Sequence, residues 1–273
     1  MLNNKTFLIT GISDKNSLAM FVAKEIINNG GNVVCTGLGL TKFHVNLSER
    51  AEAFLSLTYN DFKEAVKQEL GDVETIALDI TIEENIDELA SYLKEKNIEI
   101  HGFLHAIAMD KTIRNKKVKP LLDISIDEFC DTMNVSAFSL IRLSHFLLKH
   151  NVMQKGASIC SLSYIAAEKV TFHPYRNISI AKAALERITI ELADELGRSN
   201  DIRVNVIRFS PYLGSKAGSA TLTTEDVNTS NKMSPLGNAR AQDLAYEVVH
   251  LFRPKSRITG EIRHVDGGYH ITG

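Results

Sequence analysis

Apolar residues along this chain fall into short runs bounded by turn-forming residues, and between those runs they recur every three or four positions. Seven runs read as strands, at 6–10, 32–36, 75–78, 102–106, 158–162, 203–207 and 261–265. The intervening stretches carry helical spacing, as in Leu18, Phe21, Val22 and Ile26, and again in Leu185, Ile188, Leu192 and Leu196. Asn29, Gly30 and Gly31 end the first of these helices with residues that tolerate left-handed geometry. Runs such as FLIT and NVVCT are continuously apolar, which is the signature of parallel strands buried on both faces. The pattern predicts an α/β fold: a Rossmann-type, doubly wound sheet of about seven parallel strands with helices on both faces. The long segment 37–71 predicts one or two additional helices before the third strand. No linker divides residues 1–273, so a single domain is expected.

Composition narrows the partners more than the fold. Hydrophobic residues make up 44% of the 273 positions and charged residues 23%, with a formal net charge of -2. Enough apolar mass is present for a large core. The interspersed charges do not build the single-signed field of a nucleic-acid or membrane-surface protein, so a small molecule is the expected ligand. Cys35, Cys130 and Cys160 lack paired spacing and read as reduced core thiols. The nine histidines show no metal-binding spacing, so no metal is expected. No stretch approaches the ~18 apolar residues of a membrane span and the N-terminal region carries no secretory pattern, which predicts a cytoplasmic protein.

In this fold, ligands bind beyond the carboxyl ends of the strands. The first such turn reads TGISDKNSLA. Gly11 would let the backbone approach a pyrophosphate, and Ser17 could both cap the helix and donate to an anion. An ordinary strand-to-helix turn explains the same residues. At the end of the third strand Asp79 could accept from an adenine amino group, or simply end the strand. After the second strand no acidic residue is placed to bind a ribose hydroxyl, and Lys42 is the nearby charge, which leaves NADH and NADPH both open.

The stretch SLSYIAAEKVTFHPYRNISIAKAALE follows the fifth strand and carries Tyr164, Tyr175 and Lys182. Seven residues separate Tyr175 from Lys182, so on a helix they would share one face two turns apart. A lysine ammonium near a phenol favours proton donation while hydride arrives from a nicotinamide.

These motifs resemble the divergent, FabI-like enoyl-acyl-carrier-protein reductases within the short-chain dehydrogenases. That branch uses two tyrosines and YxxxxxxK, in segments similar to SYLG-E and NYNVMGLAKASLE. The spacing between the two tyrosines is one residue longer here. The turn at Gly11, Ser17 and Ala19, the LDI at Asp79, HAIA at His105 to Ala108, IRVNVI and ITGEIRHVDGGYHIT extend the resemblance over nearly the whole chain. It implies reduction of a trans-2-enoyl thioester delivered by an acyl-carrier protein, with NADH or NADPH as cofactor and NADH the first choice. Tyr175 would contact the thioester carbonyl, Tyr164 would line the cleft, and Lys182 would hold the cofactor ribose. Gly11, Ser17, Leu18, Asp79, Ile80, Ile107 and the backbone of Tyr212 would complete the cofactor site. Family members are typically homotetramers, and an apolar face at Phe138, Leu140, Ile141, Phe146 and Leu147 is compatible with assembly or with core burial.

The chain departs from that family in two places. RFSPYLGS, from Arg208 to Ser215, keeps Pro211 of the family's SAGPIRT loop but brings in bulkier Phe209 and Tyr212, and Gly214 in place of threonine. Asp110 stands where the family has a small residue near the acyl group, and a carboxylate there needs a partner. Residues 214–234 resemble the family's substrate-binding lid in position and length. Two other functions remain open: reduction of a carbonyl or another activated double bond, for which Ser161 or Ser163 could serve, and a cofactor-binding protein without turnover.

Overall fold

Seven strands pair in parallel: β1 (Thr6–Ile9), β2 (Asn32–Gly37), β3 (Glu74–Ala77), β4 (Ile100–His105), β7 (Met153–Ser163), β8 (Arg203–Phe209) and β9 (Ile262–Val265). Their order is β3-β2-β1-β4-β7-β8-β9 in the computed structural model, which describes residues 2–173 and 175–272. The sheet reverses direction of winding between β1 and β4, so the carboxyl ends of those strands open a crevice. The doubly wound architecture expected from the sequence is therefore present.

Side chains alternate across the sheet and feed two cores. Phe7, Ile9, Val33, Cys35, Cys160, Leu162 and Ile207 pack on one face against α1 (Leu18–Asn28), α2 (Glu49–Leu70) and α9 (Ala241–Phe252). The rings of Phe7 and Phe252 stack there at 4.9 Å. Leu8, Val34, Phe103, Ile159 and Val204 pack on the other face against α3 (Glu83–Glu95), α5 (Ser139–Lys149) and α6 (Asn177–Asn200). The extra helix expected in 37–71 is the single α2. Of the apolar face around Phe138, Leu140 and Leu147 are fully buried in this core, whereas Phe138 is half exposed.

Three features went beyond the sequence reading. A small antiparallel hairpin, β5 (Ile113–Arg114) and β6 (Lys117–Val118), follows β4. α4 (Ile126–Met133) runs into α5 through a π-helical turn at Asn134–Phe138. Within that turn Ser136 donates to the Met109 carbonyl at 3.1 Å and accepts from its amide at 3.0 Å, so the wide turn clamps the loop leaving β4. Finally, the segment 214–234, expected as a lid, holds two short helices, α7 (Lys216–Thr221) and α8 (Thr224–Met233), and α8 packs against α10 (Tyr269–Thr272).

Gly102 shows how tightly the central strands approach. A Cβ there would lie 2.3 Å from the Ser158 carbonyl oxygen of β7, a backbone atom that cannot step aside. Gly102→Ala should lower stability by about 2–3 kcal/mol through overpacking, read as a lower urea midpoint. An unchanged midpoint would contradict this account of the β4–β7 contact.

Candidate active site

Every candidate residue lies beyond the carboxyl ends of the strands or on the helices that follow them. Gly11 leaves β1 with φ +83°, and a Cβ on it would sit 2.2 Å from the Ala106 carbonyl oxygen. Its bare α-carbon thus serves close packing of two strand exits, in addition to leaving a bare backbone at the turn. Ser17 occupies the N-cap of α1, but its hydroxyl donates back to the Asp14 carbonyl at 2.8 Å and makes no cap bond to the helix. The expectation that it caps α1 through its side chain is corrected on that ground. The first turn of α1 contains no acidic residue and receives no side-chain cap, so its leading amides remain suited to an anion. Leu18 packs its side chain against the α1–α9 core.

At the end of β3, Asp79 is held in a local network. Its Oδ1 accepts from the Thr81 amide at 2.9 Å and the Thr81 hydroxyl at 2.6 Å, and its Oδ2 faces His44 Nε2 at 3.1 Å. Ile80 is buried, and its carbonyl accepts from the buried Arg142 guanidinium at 2.8 Å. Ile107 is half-buried against the α3–α5 core. Just before it, buried His105 shares a 2.7 Å hydrogen bond with Ser139. Burial, with Lys182 nearby, pulls the His105 pKa down to about 3, so the imidazole is neutral. Lys42 is paired with Glu88 and is not a free cation.

Tyr164 directly follows β7 and meets Tyr175 edge to face, with centroids 5.2 Å apart. Tyr164 also stacks on the buried Tyr269 ring at 6.3 Å, and Tyr175 packs against His173 at 5.1 Å. Burial raises the pKa of both phenols, and for Tyr175 the Asp226 carboxylate adds to the rise, so both remain protonated. The expected shared helix face for Tyr175 and Lys182 is not found. α6 starts at Asn177, after Arg176 takes φ 55° and ψ -110°, so Tyr175 lies in the loop before the helix. Pro174, part of the same motif, lies outside the described residues.

Lys182 sits on α6 and donates to the Leu162 carbonyl at 2.7 Å. Burial pulls its pKa down to about 8, opposed by the Glu186 carboxylate one turn along. Glu186 is itself buried and bidentate with Arg208 of β8, Nε to Oε1 at 2.8 Å and Nη2 to Oε2 at 2.6 Å. Ser163 donates to Glu186 at 2.6 Å, and Arg208 also reaches Glu168. Sequence reading missed this pair because 22 residues separate its members. The available signals were Glu186 four residues beyond Lys182 and an arginine in the altered RFSPYLGS loop. Tyr212, in that loop, crosses to the first turn and donates from its hydroxyl to the Asn16 carbonyl at 3.0 Å.

Other expectations need adjustment. Cys130 is exposed on α4, not a core thiol, whereas Cys35 and Cys160 are buried; burial pushes the Cys35 thiol up to about 12 and raises Cys160 too. The Asp110 carboxylate is partly paired: Oδ1 accepts from the Thr112 amide and hydroxyl at 2.8 and 2.6 Å. His264 at the end of β9 clusters with Asp266 and His270 just after it, although no metal site was expected. Asp266 there bonds the Gly268 and His270 amides, and both imidazoles, stacked at 3.9 Å, bring Nδ1 to its carboxylate, at 3.4 Å for His264 and 2.9 Å for His270.

A parallel doubly wound sheet with a tyrosine pair and a half-buried lysine at its carboxyl end defines a nucleotide-dependent reductase of the short-chain dehydrogenase type. Residues 11–270 match the family described as enoyl-(acyl carrier protein) reductase, and the chain belongs to that family. It is 30% identical to the enoyl-[acyl-carrier-protein] reductase [NADH] FabI of Bacillus cereus, covering 100% of this chain and 99% of that protein. The Rickettsia typhi protein of the same name is 32% identical, with 100% and 97% covered. Among solved structures, the FabI–NADH complex of Alistipes finegoldii superimposes with a TM-score of 0.85 at 27% identity, covering 100% and 90%. The Bacillus cereus reductase with NADP+ and an indole naphthyridinone gives 0.83 at 29%, covering 100% and 98%.

Proposed function

We propose that this chain reduces the double bond of a trans-2-enoyl thioester carried by an acyl-carrier protein, using NADH in preference to NADPH. The observation that carries this reading is the contact of Tyr164 with Tyr175, with the half-buried Lys182 held by the Leu162 carbonyl two residues before Tyr164. A bound nicotinamide supplies hydride to the β-carbon. The uncapped start of α1 and the bare Gly11 turn suit a pyrophosphate, and the two ammonium protons of Lys182 not used by Leu162 suit ribose hydroxyls. Lys42, the nearby charge after β2, is paired with Glu88, and NADH is the cofactor in the relatives' names; both favour NADH.

As the β-carbon becomes saturated, negative charge develops on the thioester oxygen. The Tyr175 phenol, kept protonated by burial, donates a hydrogen bond there, a contribution of about 3 kcal/mol by analogy with oxyanion-hole donors. Tyr164 walls the cleft and limits the positions open to the Tyr175 ring. Lys182 stays cationic below about pH 8, adding positive potential near the developing enolate. α7 and α8 form the lid over this cleft, rooted through the Tyr212–Asn16 bond. The half-exposed Phe138 accords with a homotetramer. Among the described residues no helix is long and apolar enough to cross a membrane.

The carbonyl-reducing alternative asks for a free serine at 161 or 163. Ser163 is instead committed to Glu186, and Ser161 lies 3.3 Å from the Thr189 hydroxyl. The test follows nicotinamide absorbance with crotonyl and longer trans-2-enoyl thioesters, and in parallel a 3-oxoacyl thioester. The enoyl substrate should be consumed, and Tyr175→Phe should cut turnover about a hundredfold. Turnover of the 3-oxoacyl substrate alone, or cofactor binding without any turnover, would reject the proposal.

A further inference from the structure

Residues 111–119 read KTIRNKKVK, placing five of the chain's 31 Lys and Arg residues within nine positions of a protein whose net charge is -2. These residues build the β5–β6 hairpin. Lys111 is paired with Asp131 at 2.6 Å and Lys119 with Glu128 at 2.8 Å. Arg114, Lys116 and Lys117 are exposed at the tip and have no acidic partner among the described residues. The tip is nevertheless fixed in place. Asn115 and Lys116 both adopt left-handed backbone, with φ 49° and 61°, as a tight two-residue turn demands. The Lys116 amide donates to the Ala220 carbonyl of α7 at 3.1 Å. Lys119 ties the hairpin to Glu128 of α4, whose carbonyl accepts from Asn177, the first residue of α6, at 3.2 Å.

The hairpin is thus tied to α7 on one side and, through α4, to the start of α6, two residues beyond Tyr175. A depression of about 730 Å³ lies between its cations and Pro120. Just past it, Leu121, Leu122 and Ile126 are 48%, 98% and 72% exposed. A cationic tip held rigid beside an exposed apolar step is an arrangement that charge alone does not require. It complements an acidic helical surface with an apolar contact, presented together with a phosphodiester-linked arm.

We propose that the β5–β6 hairpin, through Arg114, Lys116 and Lys117 with Leu122 beside them, is the docking surface for the acidic acyl-carrier protein that delivers the thioester. This rests on the enoyl-reductase reading above. Cations at an interface rim act mainly by steering encounter, so their loss should appear in association and KM and not in kcat.

The test compares wild type with Arg114→Glu/Lys116→Glu/Lys117→Glu on one crotonyl group borne by the carrier protein, by coenzyme A and by N-acetylcysteamine. The triple variant should lose about tenfold or more in kcat/KM on the carrier, through KM and more at low salt. Its turnover of the N-acetylcysteamine thioester should be unchanged, which also establishes that it folds. Equal kinetics on the carrier, or an equal loss on N-acetylcysteamine, would overturn the proposal; a loss on coenzyme A as large as on the carrier would assign the tip to the phosphate arm and overturn protein docking. Direct titration with labelled holo-carrier keeps the test independent of catalysis. Binding should weaken about tenfold in the variant, and equal affinity would reject the surface even if no thioester were reduced.

Discussion

Lys182→Met is expected to fold at least as well as the wild type and to lose two to four orders of magnitude in kcat/KM, the range associated with removal of a positioned proton-transfer group. The lysine is half-buried on α6, with one of its protons committed to the Leu162 carbonyl at 2.7 Å. Burial lowers its pKa from 10.5 to about 8. A lysine that binds its proton less tightly folded than unfolded costs stability at low pH. That cost is full below about pH 8 and fades as pH rises towards 10.5, so an uncharged side chain of similar length relieves it. Activity runs the opposite way. In the wild type the cation is present below about pH 8, and kcat/KM should fall on the alkaline side with a midpoint near that value. The pH profile of Lys182→Met should lack this limb, and Lys182→Arg, which stays charged, should lack it too. An alkaline limb that persists in both variants would show that another group is titrating.

The second large effect lies behind the site. Arg208→Met should destabilise the fold by about 3–5 kcal/mol, because it strands a buried carboxylate. Arg208 and Glu186 are 4% and 5% exposed, and the guanidinium satisfies both oxygens of Glu186. The hydrogen bonds to Glu186 are the chief reason the Arg208 pKa is raised, with Glu168 adding to it. Removing both charges at once is a different experiment. Arg208→Met/Glu186→Leu replaces the pair by apolar volume and should recover most of the lost stability. Denaturant unfolding of the two variants distinguishes the cases. A single variant within about 1 kcal/mol of wild type would mean that Glu186 takes up a proton or finds solvent at little cost.

The seven strands were legible because parallel strands buried on both faces must be apolar without interruption, as Phe7–Leu8–Ile9 shows by supplying both cores. Legibility failed where that rule lapses. The start of β7, read at 158, lies at Met153, because MQKGA is largely polar and includes Gly156 at φ +78°. The β5–β6 hairpin has strands of two residues each and turns on Asn-Lys in place of Asn-Gly, so neither alternation nor turn chemistry announced it. For the candidate site, the tyrosines and lysine were found through the resemblance, but their spacing misled. Seven residues fit two helical turns, yet Arg176 interrupts the helix, and Tyr175 meets Tyr164 from a loop. Partners such as Arg208 with Glu186, or Ser136 with Met109, are joined only by folding and leave no local pattern to read.

The π-helical turn between α4 and α5 fixes the residue count between two anchors. A regular spiral advances about 100° per residue, and a π turn holds one residue more than the α-helix it interrupts. Asn134–Phe138 therefore holds one residue more than a regular α-helical rod would at that place. Trimming it would straighten the rod but rotate one side of the turn against the other by that angle, separating Ser136, clamped to Met109, from Ser139, bonded to His105. A one-residue deletion within 134–138 should therefore break one of these two anchors.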